Sequence, residues 1–363
     1  MDNIFNYIKN IKNEKSENIA YLKESSLPLF LYGAGSYAVD VMKFLTKHGI
    51  HISGLFVDNE YHKQTTLKGY EIFKFSDMRQ KQEKFNVVIT NSSFINNDVK
   101  NRLANIEESM FIDAPNEDVF FDFDFLKCNE ETFNETFNSL SDQLSKDVFV
   151  AFINAKLSGN PIPLYNTNVE SESQYFSNLV DIKAINVFLQ AGGFDGQTVL
   201  DFTNRNNNYK QIITFEPDKE NLELLRNNCK GVKNLEVVDK GLYNQNTILY
   251  FEQNTTGTSK IVDSGEMSIG VTTIDSVISR MSENNKVYIT LDIEGAELQA
   301  LYGSRETIEN NTTYMAISVY HKSTDLIEIP RFINNLKEDY DIYLRHYGYN
   351  TWETIMYAIP KRG

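Results

Sequence analysis

The chain has 363 residues, 41% of them hydrophobic and 23% charged, with a formal net charge of −15. That length suits two domains of ordinary size, and the acidic balance argues against nucleic acid or an anionic membrane surface as the main partner, because both reward Lys/Arg patches. Cys128 and Cys229 are the only cysteines, which leaves no disulfide framework or zinc cluster and fits a reducing cytosol.

The N-terminal stretch has no uninterrupted apolar core of signal-peptide type. Ile4, Phe5, Ile8 and Ile11 recur at helical spacing, which predicts an amphipathic helix within residues 1–26. No apolar run is long enough to span a bilayer, so no integral membrane segment is expected.

Residues 27–118 read as a first unit. Leu29 to Tyr32 is a strand, GAGSYA follows as a glycine turn, a helix covers 39–48, and a second strand at 52–57 ends in Asp58. This is a Rossmann-type βαβ with Gly33, Gly35 and Ala38 at the fingerprint positions. Asp58 follows roughly 20–25 residues on, near where a ribose-binding acid is expected. Further strands are expected at 86–90 and 110–113, so half of a doubly wound sheet is visible. Gly33, Gly35 and Asp58 are candidates for a nucleotide or nucleotide-sugar pocket. A degenerate unit used for docking is the competing reading. His48, His51 and His62 have no ligand-type spacing partner and read as ordinary surface or turn histidines.

Residues 119–183 form a mainly helical connector. It opens on the aromatic and acidic VFFDFDFLK, continues with helical periodicity to the stop signal Gly159-Asn160-Pro161, and reads as extended over PIPLYNTN.

Residues 184–363 form the last unit, and it opens on the most informative stretch. Val187, Phe188 and Leu189 lie in a strand. Gly192, Gly193 and Gly196 make a tight loop in which backbone N–H groups can approach a ligand. A helix opens out of that loop, and a second strand at 211–215 ends in Glu216, well placed to accept hydrogen bonds from ribose hydroxyls. No ordered G-x-G-x-x-G is present, so an adenosine ligand without pyrophosphate suits the loop better than a dinucleotide.

Downstream come a helix at 219–229, strands at 235–240 and 248–252, and a short helix in VTTIDSVISRM. A strong strand at 286–291 carries Asp292, Glu294 and Glu297 at its end, and a helix at 297–309 follows. A strand at 314–320 ends in His321, before a helix at about 325–338 and strands at 341–346 and 354–359. Alternating strands and helices imply a parallel sheet. The last connection is too short for a helical crossover, so the last strand must run antiparallel to its predecessor.

From about Gln174 to Lys361 the chain resembles the FkbM family of S-adenosylmethionine-dependent methyltransferases. The segments that carry the resemblance stand in order: QYF before VFLQAGGFDGQTV, then TFEPDKENLELLRNN, ITLDIEGAELQALYG, and ISVYHKSTDLIEIP with LRHYG behind it. The resemblance implies an α/β fold: a class I (Rossmann-like) methyltransferase sheet with an antiparallel last strand, plus a smaller N-terminal Rossmann-like α/β domain. It also implies O-methylation of a hydroxyl, commonly on a sugar or natural product.

Gln190, Gly192, Gly193, Asp195, Gly196, Thr198, Glu216 and Asp292 then fall on the cofactor site, and Asp292, Glu294 and His321 face the reaction centre. Families of this fold usually carry Asp or Glu where Gln190 stands. S-adenosyl-L-methionine is the expected cofactor. The expected substrate is a small molecule or glycan handled in the cytoplasm during surface glycan biosynthesis, with a homo-oligomer left open.

Methyl transfer from a sulfonium to an alcohol needs two aligned reactants and a base for the hydroxyl proton. His321 is the preferred base because its ordinary pKa lies near neutrality. A carboxylate at 292 or 294 would orient it, hold sugar hydroxyls or ligate a divalent metal. The competing readings are a hydrogen-bonded strand-end histidine for His321, helix N-terminal capping for Glu294, and a structural or substrate-positioning role for His346. Two other functions compete: a nucleotide-sugar oxidoreductase using NAD between Gly33 and Asp58, and a non-catalytic nucleotide-binding protein suggested by Gln190. The first lacks a Tyr-x-x-x-Lys pair after a suitable strand.

Overall fold

Three sheets organise the described residues. The computed structural model describes residues 2–9, 13–80, 84–90, 108–110, 112, 121–169, 173–253, 259–262, 267–278, 284–336 and 339–361. The first sheet holds β1 Leu29–Tyr32, β2 Gly54–Val57, β3 Thr66–Leu67, β4 Tyr70–Lys74, β5 Asn86–Ile89 and β6 Glu108–Met110, in the order β3-β4-β2-β1-β5-β6. Every pairing is parallel except the β3–β4 hairpin. β1, β2 and β5 are buried along their whole length, which is why they read as unbroken apolar runs. The hairpin was not expected: its turn is Lys68-Gly69, both left-handed, rather than an Asn-Gly or Asp-Gly signal. The strand order reverses between β1 and β5, so the crevice of this sheet lies over Gly33 and Thr90.

The N-terminal segment departs from the expected amphipathic helix. A 3₁₀ turn covers Ile4–Asn6, capped by the Asn3 side chain, and the first α-helix is Glu14–Glu24. Ile4 and Ile8 are buried in the core formed with residues after 121, and the Asn134 and Asn154 side chains accept from the Ile4 and Lys9 backbone N–H groups. Those long-range partners satisfy donors that a local helix would otherwise use. Ile11 lies outside the described residues.

The connector holds the helices Phe123–Cys128, Glu130–Ser139 and Gln143–Ser158. The periodic run breaks at Asp142 because that residue leaves the helix to cap the next one through Ser145 N, and its carboxylate also pairs with Arg345 at 2.6 Å. Gly159, left-handed at φ 73°, closes the last of the three helices as the stop signal implied. PIPLYNTN, expected to be extended, contains the short helix Ile162–Tyr165, for which Pro161 sets the opening turn.

The remaining strands are β7 Val187–Ala191, β8 Gln211–Phe215, β9 Leu235–Val238, β10 Gly241–Leu242, β11 Thr247–Gln253, β12 Ser259–Val262, β13 Met267–Thr272, β14 Lys286–Leu291, β15 Thr312–Ser318, β16 Tyr340–His346 and β17 Thr354–Pro360. Seven of them make the main sheet, in the order β16-β17-β15-β14-β7-β8-β9. β17 lies antiparallel between β16 and β15, and the other pairings are parallel. This is the Rossmann-like methyltransferase sheet, closed by the antiparallel strand that the short final connection demanded.

β10 to β13 form a separate four-stranded sheet of which only β11 was expected. Val271 and Thr272, read as the start of a helix, end β13 instead, and the helix there is Ile274–Ile278. The helix expected over 297–309 is two, Glu297–Tyr302 and Arg305–Asn310, divided at Gly303. A Cβ on Gly303 would lie 2.4 Å from the Tyr243 carbonyl, so the chain can pass there only as glycine. No helix among the described residues is long and apolar enough to cross a membrane.

Candidate active site

β7, β8, β14 and β15 run parallel and end on one edge of the main sheet, so the loops that follow them converge. After β7, Gly192 has φ 84° and its backbone abuts the Asp292 carbonyl, which would lie 2.1 Å from any Cβ. A Cβ on Gly193 would meet Leu225 Cδ1 at 2.5 Å and Thr214 Oγ1 at 2.8 Å. The glycine loop is thus held tightly against the strands on both sides. Glu216, buried at the end of β8, closes it: Oε2 accepts from Phe194 N at 2.7 Å and Oε1 from Asp218 N at 2.9 Å.

Gln190 is a brace for the same loop. Its Nε2 donates to the Gly192 carbonyl at 2.9 Å and its Oε1 accepts from Thr214 Oγ1 at 3.1 Å, bonds that use both ends of an amide. The departure from an acid at this position therefore has an internal use. Asp195 accepts from Gln197 N at 3.0 Å at the mouth of the helix Gln197–Arg205, whose first turn carries Thr198.

The second half of the site surrounds His321, which is buried just beyond β15. Its Nδ1 lies 2.9 Å from Glu297 Oε1, and its Nε2 lies 3.5 Å from Asp292 Oδ1 and 3.6 Å from Glu294 Oε2. Burial disfavours the charged imidazole, but the Glu297 hydrogen bond and the charges of Glu297, Asp292 and Glu294 outweigh it and lift the pKa to about 9. His321 is thus an imidazolium at neutral pH, not the near-neutral group that its residue type suggested.

Asp292 is held by phenols. Tyr175 Oη donates to Oδ2 at 2.6 Å, and Tyr320 Oη lies 3.3 and 3.4 Å from the two oxygens. Burial first, then the Asp292 charge, pushes both phenols up, so they remain donors. The Tyr175 carbonyl accepts in turn from Tyr288 Oη. Asp292, Glu297 and His321 bring one donor atom each within 4.8 Å of the others, but Glu297 already accepts the Nδ1 proton, so the group is a hydrogen-bonded ion cluster rather than three free ligands.

Three members of this site carried no functional reading in the sequence. Glu297 read as the last acid after the strand at 286–291 and as a helix start, Tyr175 as part of the QYF segment of the resemblance, and Glu353 as part of a turn. Glu353 is raised by burial and then by the Asp292 charge, and Gln174 donates to it. The signal was conformational: Tyr175, Phe194, Glu294 and Glu353 are four of the seven non-glycine residues with positive φ among the described residues. Strain of that kind collects at functional sites.

The turn carrying Glu353 is anchored from below. Lys156 Nζ donates to Thr351 Oγ1 at 3.0 Å and Asn168 Nδ2 to the Gly348 carbonyl at 2.9 Å. Its Trp352 packs edge-on against Tyr37, ring centroids 6.0 Å apart, in the first turn of the helix Ser36–Lys47. That helix opens from the Gly33–Gly35 turn of the first sheet. Gly33 has φ 128°, and an added Cβ on Gly35 would meet nothing within 4 Å. Asp58, expected to face a ribose, is buried and accepts from Tyr32 Oη at 2.8 Å within its own sheet.

His346 is fully buried, with Nδ1 3.0 Å from Thr354 Oγ1. Burial pushes it down to about 4, so it is neutral in the fold. An unfolded chain gains this proton as pH falls through about 6.5 while the folded one waits until about 4, so stability from His346 is present above pH 6.5 and lost across that window. His346→Gln is expected to flatten the acid limb: its melting temperature should fall less than that of the wild type between pH 7 and pH 5. Equal slopes in a paired melting series would rule this out.

Residues 190–351 match the Methyltransferase FkbM domain. No curated protein matches the chain. Among solved structures, methyltransferase FkbM from Methylobacillus flagellatus KT is similar over 95% of this chain and 93% of that one, at 20% identity and a TM-score of 0.75, a likeness of fold that takes in the N-terminal sheet as well. An rRNA methylase from Streptococcus thermophilus covers 50% of this chain and 89% of its own at 11% identity (TM-score 0.33). Fibrillarin from Aeropyrum pernix, solved with natively bound S-adenosyl-L-methionine, covers 50% and 69% at 12% identity (TM-score 0.31). These last two are too distant to weigh. Residues 190–351 thus carry a Methyltransferase FkbM domain.

Proposed function

We propose that the chain is an S-adenosylmethionine-dependent O-methyltransferase acting on a hydroxyl of a carbohydrate or nucleotide-linked sugar, in surface glycan biosynthesis. The observation that carries this reading is the meeting, on one sheet edge, of a glycine loop closed by Glu216 with a histidine set among carboxylates. The donor set fits the cofactor: Gly192 N and Gly193 N donate to the Phe215 carbonyl and pin the loop backbone in a close turn, Glu216 would accept from ribose hydroxyls, and Asp292 would add a carboxylate. When bound, the cofactor supplies an electrophilic methyl group on a positively charged sulfur.

The residues of the chain do the rest. Glu294 and Glu353 accept hydrogen bonds from the acceptor and orient its hydroxyl. His321 Nε2 would take the proton that the acceptor hydroxyl loses as its oxygen is methylated. That role requires an unprotonated Nε2, so kcat/KM should rise with pH through a limb near 9, above the near-neutral limb that an ordinary histidine would give.

Transfer of a labelled methyl group to a panel of sugar nucleotides and glycan precursors tests the reaction. Calorimetry with S-adenosylmethionine, S-adenosylhomocysteine and NAD tests the cofactor, and binding of NAD alone would overturn the reading. Glu216→Ala should weaken cofactor binding by about 1–3 kcal/mol, the scale for leaving buried polar partners unpaired. An unchanged Kd would place the ribose elsewhere.

The first unit, 27–118, binds the nucleotide of the substrate in this reading, supported by the Tyr37–Trp352 contact that links its glycine turn to the turn bearing Glu353. Gly35→Asp, at a position where an added Cβ meets nothing within 4 Å, should raise the acceptor KM by charge repulsion and leave cofactor affinity unchanged.

A further inference from the structure

Behind His321 lie two buried carboxyl groups that the proposed reaction does not use. Glu297 is fully buried at the start of the helix Glu297–Tyr302, and Asp325, 2% exposed, starts the helix Asp325–Asn334. Glu297 Oε1 accepts from Ile293 N at 2.8 Å and faces His321 Nδ1 at 2.9 Å. Its Oε2 is buried and receives no hydrogen bond from a donor among the described residues. Asp325 Oδ2 accepts from Lys322 N at 2.7 Å.

A buried carboxylate oxygen with no donor is costly, and two neighbouring buried carboxyls rarely ionise together. The charged and titratable groups around His321 are Asp292 and Glu294 after β14, Glu297 and Asp325 on the two helices, Lys322 beside it, Glu353 on the last turn, and the Tyr175 and Tyr320 phenols. Burial first, then the Glu297 charge, raises the Asp325 carboxyl to about 8.

We propose that Glu297, fully buried and fixed at Oε1 by Ile293 N–H, is the positioning residue that fixes His321 Nδ1–H and turns Nε2 toward the acceptor. The pair has the logic of a triad in which a buried carboxylate orients the imidazole. The direction of Nε2 toward an acceptor rests on the proposed function; the arrangement behind Nδ1 does not.

The experiment is NMR of the full chain labelled with ¹⁵N-histidine, titrated between pH 5 and 10, with the His321 signal assigned by its loss in His321→Gln. In the wild type, the neutral form of His321 should carry its proton on Nδ1. Glu297→Gln should lower the His321 midpoint by about one pH unit or more, because the nearest charge is gone. The pH limb of kcat/KM should move down with it, with the Kd for S-adenosylhomocysteine unchanged.

A wild-type neutral form protonated on Nε2 overturns the proposal without any variant. A Glu297→Gln midpoint equal to that of the wild type removes Glu297 from the pair. Should the chain bind no S-adenosylhomocysteine yet give the expected tautomer and midpoints, the proposed function fails and the buried pair stands.

Discussion

His321→Ala is expected to lower turnover roughly 10²–10⁴-fold, the usual worth of general base catalysis, while the Kd for S-adenosylhomocysteine barely moves. The split follows from where the residue sits. In the proposed reaction the glycine loop and Glu216 hold the cofactor, and their hydrogen bonds do not involve the imidazole. His321 touches Glu297 and approaches Asp292 and Glu294, so its loss falls on the reacting hydroxyl. The wild-type rate should fall as pH drops below about 9, and the variant should lack that limb.

Alanine also leaves Glu297 facing an empty space, and breaking a buried pair from one side costs about 3–5 kcal/mol. His321→Gln, which keeps a donor toward Glu297 but cannot serve as a base, separates the two effects. It should melt near the wild type and be as slow as alanine. A fully active variant would hand the proton to Asp292 or Glu294. An inactive one that no longer binds S-adenosylhomocysteine would make His321 a structural residue.

Gly192→Ala is expected to have the largest effect on both folding and cofactor binding. The position combines a left-handed backbone, φ 84°, with a Cβ that would sit 2.1 Å from the Asp292 carbonyl. Positive φ in a non-glycine residue costs about 1–3 kcal/mol and overpacking costs about as much again, so a loss of about 2–5 kcal/mol is expected. The contact is backbone against backbone, so no side chain can rotate away. Relief requires the β7 and β14 loops to part, and with them the glycine cradle from Asp292. Thermal melting and S-adenosylhomocysteine titration should therefore fail together. Gly35→Ala in the first sheet is the control, since nothing lies within 4 Å of its added Cβ. A Gly192→Ala protein that melts and binds like the wild type would show that the loops slide apart at little cost.

Much of this architecture was legible in the sequence, for identifiable reasons. β7, β8, β14 and β15 are buried parallel strands, so their residues form continuous apolar runs. The antiparallel β17 followed from the shortness of residues 347–353. β3–β4 and β12–β13 were not legible, because their turns lack strong signals or their strands are only part of a small sheet.

At the site, the motif ends were visible but not the bonds between them. Glu297 at a helix start has an ordinary reading as a partner of the macrodipole. Only the β14–β15 register brings it against His321, which follows the neighbouring strand. The charge state of His321 was likewise out of reach: it depends on carboxylates from three positions closing around one ring, not on the residue type.

The contact between Tyr37 and Trp352 has an optical consequence. The chain contains a single tryptophan. All indole emission from the intact protein therefore originates at one place, half-buried against Tyr37 of the helix that leaves the Gly33–Gly35 turn and next in sequence to Glu353. Light emitted there samples the junction of the first and main sheets with no label added, and a movement of either sheet against the other alters the surroundings of the only emitter.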